Sequence, residues 1–307
     1  MLQWKKLGCV FKNQNFGDWR HNSALQPTPL VLQDRVRFYV GFRDESGVSR
    51  IGFVDLSNAN LTEILTVSEK PVLDIGVDGA FDEYGVVPCA ITRVGSDIYM
   101  YYAGYQLGKK VRFLVFSGLA ISHDGGCTFA RYSQTPVFER TQNELLFRVP
   151  HSVIIENGVF KFWYGGGSNF IRGKEKTLPV YDVRYLESPD GVLIPDAGRK
   201  IINIKDDEYR IGRPYVIKTA GVGYSMFYGY SSEASPYVLG YASSGDGINW
   251  VRRDNEIGIG LSTSGWDSEM MAYPSIVKIK DKTFLFYNGN NYGYDGFGCA
   301  ELVEGGV

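Results

Sequence analysis

Titratable and aromatic side chains gather beside five prolines, Pro27, Pro88, Pro150, Pro214 and Pro274. Asp82 and Glu83 precede Pro88. Glu144, Arg148 and His151 surround Pro150, and Asp206, Asp207, Glu208, Arg210 and Arg213 lead into Pro214. Trp266, Asp267, Glu269 and Tyr273 lead into Pro274, and Asp18, Trp19, Arg20, His21, Asn22 and Gln26 into Pro27. Two carboxyl groups held a few ångströms apart can protonate a leaving oxygen and activate a nucleophile at an acetal carbon. Arginine, histidine and aromatic groups orient a polyhydroxylated ring. Glu269 sits beside the apolar run Met270-Met-Ala-Tyr273, where a carboxylate has to be paired or functional, and is expected to be the acid or base. Asp82 and Glu208, at the same distance before their prolines, are expected to be its partner carboxylates. Arg148, His151, Arg213, Asp267, Tyr273, Trp266 and Gln26 are the expected substrate contacts. Arg213, standing directly before a proline, is expected to be extended. His123, Asp124, Asp190 and Asp246 fall in Asp-Gly turns and are read as structural.

These groups act together only if the chain brings the five prolines to one place. Successive prolines are 61, 62, 64 and 60 residues apart. Each opens an apolar strand followed by an aromatic one: Arg35-Val-Arg-Phe-Tyr-Val40, Ile98-Tyr-Met-Tyr-Tyr102, Val159-Phe-Lys-Phe-Trp-Tyr164, Tyr224-Ser-Met-Phe-Tyr228 and Thr283-Phe-Leu-Phe-Tyr287. A third strand follows in every unit, and three of these run into Ser122-His-Asp-Gly125, Ser188-Pro-Asp-Gly191 and Ser244-Gly-Asp-Gly247, the strongest short hairpin signal. With 37 Gly, 21 Tyr and 18 Phe among 307 residues, this period predicts an all-β chain: a five-bladed β-propeller of four-stranded antiparallel blades around a central channel. Residues 1–307 are read as one such domain. The fifth unit lacks a fourth strand, and Trp4–Phe11 is expected to supply it and remove an open edge. The charged insert Ser168–Tyr181 is expected to be a flexible loop.

The pattern resembles the five-bladed propeller glycosidases of the arabinanase, fructosidase and mannoside-phosphorylase type, and more closely propeller proteins of bacterial surface-polysaccharide gene clusters. Gln26-Pro-Thr-Pro29, Phe81-Asp-Glu-Tyr-Gly-Val-Val-Pro88, Gly118-Leu-Ala-Ile-Ser-His-Asp-Gly125, Arg213-Pro214, Trp266-Asp-Ser-Glu-Met270 with Tyr273-Pro274, and Phe286-Tyr-Asn-Gly-Asn290 carry the resemblance. It implies a carbohydrate-active, glycoside hydrolase-like enzyme acting on a glycosidic bond in sugar or surface-polysaccharide metabolism. It also implies an Asp at the first blade's channel mouth, where this chain reads Asn22-Ser-Ala-Leu-Gln-Pro27. Two alternatives share the fold. One is a glycoside phosphorylase or glycosyltransferase, for which Arg148, Arg210 and Arg213 suit a phosphate or sugar phosphate. The other is a non-catalytic glycan-binding propeller.

Thirty-two Lys and Arg against 34 Asp and Glu exclude nucleic-acid binding through bulk positive charge. No apolar run approaches a membrane span. No signal-peptide core follows Met1, and the four scattered cysteines form no CxxC pair, so a cytoplasmic protein with reduced thiols is expected. No nucleotide or metal motif occurs, so neither is expected as a cofactor; a channel calcium ion would leave no sequence signature.

Overall fold

Aromatic and β-branched residues alternating with small ones suit pleated surfaces packed on both faces. In the computed structural model, which describes residues 1–174 and 177–307, such runs form the strands. After β1 (Gln3–Lys12), the first unit comprises β2 (Asn22–Val31), β3 (Arg35–Arg43), β4 (Ser49–Ser57) and β5 (Ile64–Val67). The second comprises β6 (Val86–Val94), β7 (Asp97–Leu107), β8 (Phe113–Ser122) and β9 (Ala130–Arg131). The third holds β10 (Phe147–Glu156), β11 (Val159–Arg172), β12 (Thr177–Ser188) and β13 (Arg199–Ile202). The fourth holds β14 (Glu208–Thr219), β15 (Gly223–Ser232), β16 (Val238–Ser244) and β17 (Val251–Arg252). The fifth is β18 (Ala272–Ile279), β19 (Lys282–Asn288), the one-turn helix α1 (Asn290–Gly293) and β20 (Gly296–Glu304).

Each unit is a four-stranded antiparallel sheet, the third and fourth being joined by one parallel bridge between Tyr181 and Arg210. β1 is the outer strand of the fifth sheet, pairing with β20 from Gln3 opposite Glu304 to Lys12 opposite Gly296. The first strands touch in a cycle, β2 on β6, β6 on β10, β10 on β14, β14 on β18 and β18 on β2, so the sheets stand as blades around a channel. The fold is a β-propeller. Residues 168–172 and 177–181 extend the β11–β12 hairpin rather than forming a loop; residues 175 and 176 of that insert lie outside the described residues. No helix among the described residues is long and apolar enough to cross a membrane.

Apolar cores fill the wedges between adjacent blades, such as Phe38, Phe42, Phe286 and Phe297 between the first and fifth and Tyr101, Phe138, Phe160 and Phe162 between the second and third. The Asp-Gly turns serve these wedges. Gly126, Gly191 and Gly247, all at positive φ, present carbonyls to the preceding blade, accepting from Tyr39 Oη (2.7 Å), Tyr101 Oη (3.0 Å) and Trp163 Nε1 (2.8 Å). The serine that opens each turn accepts from the backbone N–H of that same glycine at 2.9 Å. The repeated Ser-x-Asp-Gly turn is thus a latch between blades, made by the motif's own glycine at Gly191 and Gly247 and by the next residue, Gly126, in the second blade.

Candidate functional site at the channel mouth

In every first strand the register slips beside the blade proline, between Leu25 and Thr28, Pro88 and Ala90, Pro150 and Ser152, Gly212 and Tyr215, and Ala272 and Ser275. The bulges re-aim one side chain per blade: Gln26, Cys89, His151, Arg213 and Tyr273. Gln26, Arg213 and Tyr273 take φ of 55°, 52° and 57°. The left-handed backbone of Arg213 replaces the extended conformation expected before Pro214, because the bulge has to absorb the register slip. Non-glycine residues held there cost about 1–3 kcal/mol each, and such strain clusters at functional sites.

Four of them, Gln26, His151, Arg213 and Tyr273, floor a cavity of about 450 Å³, while Cys89 lies outside its lining. Arg213 is 2% exposed. Its Nη1 donates to Gln26 Oε1 (2.5 Å) and the Pro88 carbonyl (3.2 Å), and its Nη2 to Thr28 Oγ1 (2.8 Å) and the Gln26 carbonyl (3.3 Å). All of these acceptors are neutral. Its Nε, and Nδ1 of His151, have no hydrogen-bond partner among the described residues. Burial lowers the Arg213 pKa to about 10, so it stays cationic at neutral pH. Burial, aided by the charge of Arg213, holds His151 well below the ordinary histidine range, so its imidazole is neutral.

Phenols form much of the wall: Tyr84 and Tyr105 from the second blade, and Tyr181, Tyr209, Tyr237 and Tyr292 from the third, fourth and fifth. Arg210 lies among the tyrosines of the third to fifth blades, with its guanidinium 4.1 Å from the Tyr237 ring centre and 4.8 Å from that of Tyr209. It donates to Tyr292 Oη (3.1 Å) and Ser231 Oγ (2.6 Å), while the Tyr181 and Tyr237 hydroxyls hydrogen-bond each other. Tyr292 reaches this position from α1, where Asn291 and Tyr292 both have positive φ. Arg43 and Arg112 complete the lining. No aspartate or glutamate lines the cavity among the described residues.

Of the expected substrate contacts, Gln26, His151, Arg213 and Tyr273 line this cavity, whereas Arg148, Asp267 and Trp266 do not. Nor do the expected catalytic carboxylates, and the reason lies in the blades. Asp82 is buried, accepts from Tyr102 Oη (3.0 Å) and pairs with Arg131 of β9 (2.8 Å). Glu208 pairs with Arg252 of β17 at 2.9 Å, while the neighbouring Asp254 accepts from Tyr228 Oη. Glu144 pairs with Arg148 (2.5 Å) and Arg184 (3.0 Å) and accepts from Tyr164 Oη (2.6 Å). Asp267 pairs with Lys6 of β1 (2.6 Å) and accepts from Tyr287 Oη (2.9 Å). The carboxylate ahead of the blade proline is therefore an internal blade tie, and the matching offsets of Asp82 and Glu208 express the repeat. Glu269 is exposed: the chain bends before β18 begins, burying Met270 and Met271 and leaving the carboxylate in solvent, so the expected pocket shared by Glu269, Asp82 and Arg213 does not form. Trp266 stacks on Tyr287, ring centres 5.0 Å apart, inside the fifth blade.

The lining residues beyond the expected set, Arg43, Tyr105, Arg112, Tyr181, Tyr209, Tyr237 and Tyr292, come mostly from second and third strands and the loops that join them. Their one sequence signal is departure from the repeat, as where Arg210 and Arg213 occupy a strand that reads Val86-Val87 and Val149 in the blades before it.

No family model matches the chain. The uncharacterised protein Rv1502 of Mycobacterium tuberculosis (strain ATCC 25618 / H37Rv) is 33% identical over 303 residues, covering 98% of this chain and 99% of its own. The uncharacterised protein MT1551 of M. tuberculosis (strain CDC 1551 / Oshkosh) is 32% identical over the same span. Among solved structures, a glycoside hydrolase superposes with a TM-score of 0.74 at 17% identity, over 99% of this chain and 93% of that one. A structure solved for the GH130 family of mannoside phosphorylases, which contains glycoside hydrolases that target beta-1,2 mannosidic linkages in Candida mannan, gives 0.74 at 16% identity, over 98% and 93%. A thermostable family-43 glycoside hydrolase gives 0.67 at 17%, over 97% and 94%. These likenesses show the fold of the propeller glycosidases. By identity and coverage, the chain belongs to the family of M. tuberculosis Rv1502.

Proposed function

We propose that this protein is a carbohydrate-active enzyme of the glycoside hydrolase-like type, binding its sugar in the channel-mouth cavity and acting at a glycosidic bond. The observation that carries the reading is the cavity itself. It has about 450 Å³ of space walled by phenols and arginines, on a fold that glycoside hydrolases and phosphorylases share. That volume falls within the ~300–1,000 Å³ of small-molecule sites. Phenol faces pack against the C–H faces of a pyranose, and phenol and guanidinium donors serve its oxygens. Carboxylates do not line the cavity among the described residues, and burial raises the phenols of Tyr273 and Tyr105, so these stay protonated and serve as hydrogen-bond donors to the leaving oxygen.

A second reading, transfer of the glycosyl group to phosphate, is favoured by the arginines. Phosphate brings its own nucleophilic oxygen, which bonds to the anomeric carbon as the C–O bond to the protonated leaving group breaks. The test is product analysis on a panel of mannosides, arabinosides and fructosides with and without inorganic phosphate. Reducing sugar formed without phosphate supports hydrolysis, and sugar 1-phosphate formed only with it supports transfer. Binding without either product would move the protein to the glycan-binding class.

A further inference from the structure

Resting on that reading of the cavity, we propose that its sugar carries an oxyanion, a carboxylate or a phosphate ester, seated on the floor against Arg213 with Arg210 beside it.

The argument is one of charge accounting. Away from the cavity, the buried and half-buried arginines of the blades have carboxylate partners, among them Arg37 with Asp55, Arg131 with Asp82, Arg148 and Arg184 with Glu144, and Arg252 with Glu208. Arg210 and Arg213 have none among the described residues, although both line the cavity and Arg213 is 98% removed from solvent by its 2% exposure. Desolvating a guanidinium without a counter-ion is costly, and a fold that supplies four such ties elsewhere does not lack the means to make one. Neutral acceptors occupy both terminal nitrogens of Arg213 and leave its Nε without a partner. The unpartnered Nε is a buried donor of a lining residue, and His151, 9% exposed, adds a second unpartnered buried nitrogen, Nδ1. What Arg213 offers an anion is therefore one N–H and a positive charge that no carboxylate offsets, with the charge of Arg210 beside it. Arg43 and Arg112, also without ion pairs among the described residues, extend the positive lining towards Tyr105, which both Arg43 and Arg213 influence electrostatically.

The cavity is also much larger than a lone phosphate needs, and phenols line the same cavity as the arginines. A group that reaches Arg213 therefore belongs to a ligand that fills the walls as well, which favours an anion borne by the sugar over a free ion.

Isothermal titration of the full chain with glucuronate, galacturonate, glucose 6-phosphate, mannose 6-phosphate, glucose, mannose and inorganic phosphate tests this. An acidic sugar is expected to bind at least about tenfold more tightly than its neutral counterpart, and more tightly than inorganic phosphate. Arg210→Gln and Arg213→Gln are expected to abolish that preference. Arg213→Lys keeps the charge but loses the fork and retains part of it, and circular dichroism with a thermal midpoint establishes that each variant is folded. Should the floor variants fail to fold, Arg43→Gln and Arg112→Gln at the rim are expected to weaken the acidic sugar alone. Equal affinity for acidic and neutral sugars overturns the oxyanion and leaves the carbohydrate reading standing. Phosphate binding as tightly as the sugar phosphates overturns the sugar-borne source. Anions binding with no contribution from any sugar removes the carbohydrate reading and this inference with it, and so does a panel in which nothing binds.

Discussion

Arg213 and His151 are neighbours by electrostatics as well as by place in the floor, and each constrains the other. The guanidinium remains charged, so the imidazole beside it has to stay neutral, and burial acts in the same direction. The pH consequence has a definite sign. Below about pH 6.5 the unfolded chain takes up a proton at residue 151 that the folded chain refuses, so stability falls with acidification until the depressed folded pKa is reached. Comparing urea unfolding of the wild type and His151→Gln between pH 6.5 and 5 should show the wild type losing up to about 1.4 kcal/mol per pH unit more than the variant. Parallel curves would mean that the folded imidazole titrates normally. The cysteines make a second residue-scale prediction. They are unpaired, Cys127 exposed and Cys89 and Cys299 buried, and burial pushes the thiols of Cys89 and Cys299 up to about 12. A thiol reagent at neutral pH should therefore modify Cys127 within minutes and Cys89 and Cys299 only on denaturation; rapid labelling of all the thiols in the native protein would contradict that burial.

At the scale of the element, the ties made by Asp82, Glu144, Glu208 and Asp267 hold the entry segments of the second to fifth blades to the strands beyond them. Asp82→Asn leaves the guanidinium of Arg131 without its partner, and removing one member of such a buried pair costs about 3 kcal/mol. The urea midpoint should fall accordingly while sugar affinity at the cavity is unchanged. Arg210→Gln should do the reverse, and an Asp82→Asn protein of normal stability that has lost sugar binding would return Asp82 to the site. The contrast explains what could be read in the chain beforehand. The strands, the turns and their period were visible because each blade solves the same packing problem with the same residues, so Tyr102, Tyr164, Tyr228 and Tyr287 align without coordinates. The carboxylates aligned as well, and that recurrence was the sign of a structural part: a single site at the axis of five similar blades has to be built from what differs among them. Arg213 and His151 were within reach because they flank blade prolines. Tyr181, Tyr237 and Tyr292 were not, because their convergence depends on the long β11–β12 hairpin and on the left-handed turn at Asn291 and Tyr292, neither of which leaves a periodic trace.

The whole molecule depends on one seam. β1 is held to β20 along its length and inserts Phe11 into the core shared by the first and fifth blades, while Lys6 supplies the charge that satisfies Asp267. At its start, Gly258 takes φ of +68° and packs against the Leu2 carbonyl so closely that a Cβ would overlap it. Gly258→Ala should therefore cost about 2–4 kcal/mol and lower the thermal midpoint. Removal of residues 1–12 should cost more, through the exposed edge of β20 and the unpaired Asp267; a truncated protein with an unchanged midpoint would mean that the seam is dispensable. The same seam orders events in time. On the ribosome β1 is made first and its partner β20 last, so the strand waits through the synthesis of all the intervening blades with an unsatisfied edge and an exposed Phe11. The early blades can fold as they emerge, but the ring cannot shut until β20 has been made and reaches β1.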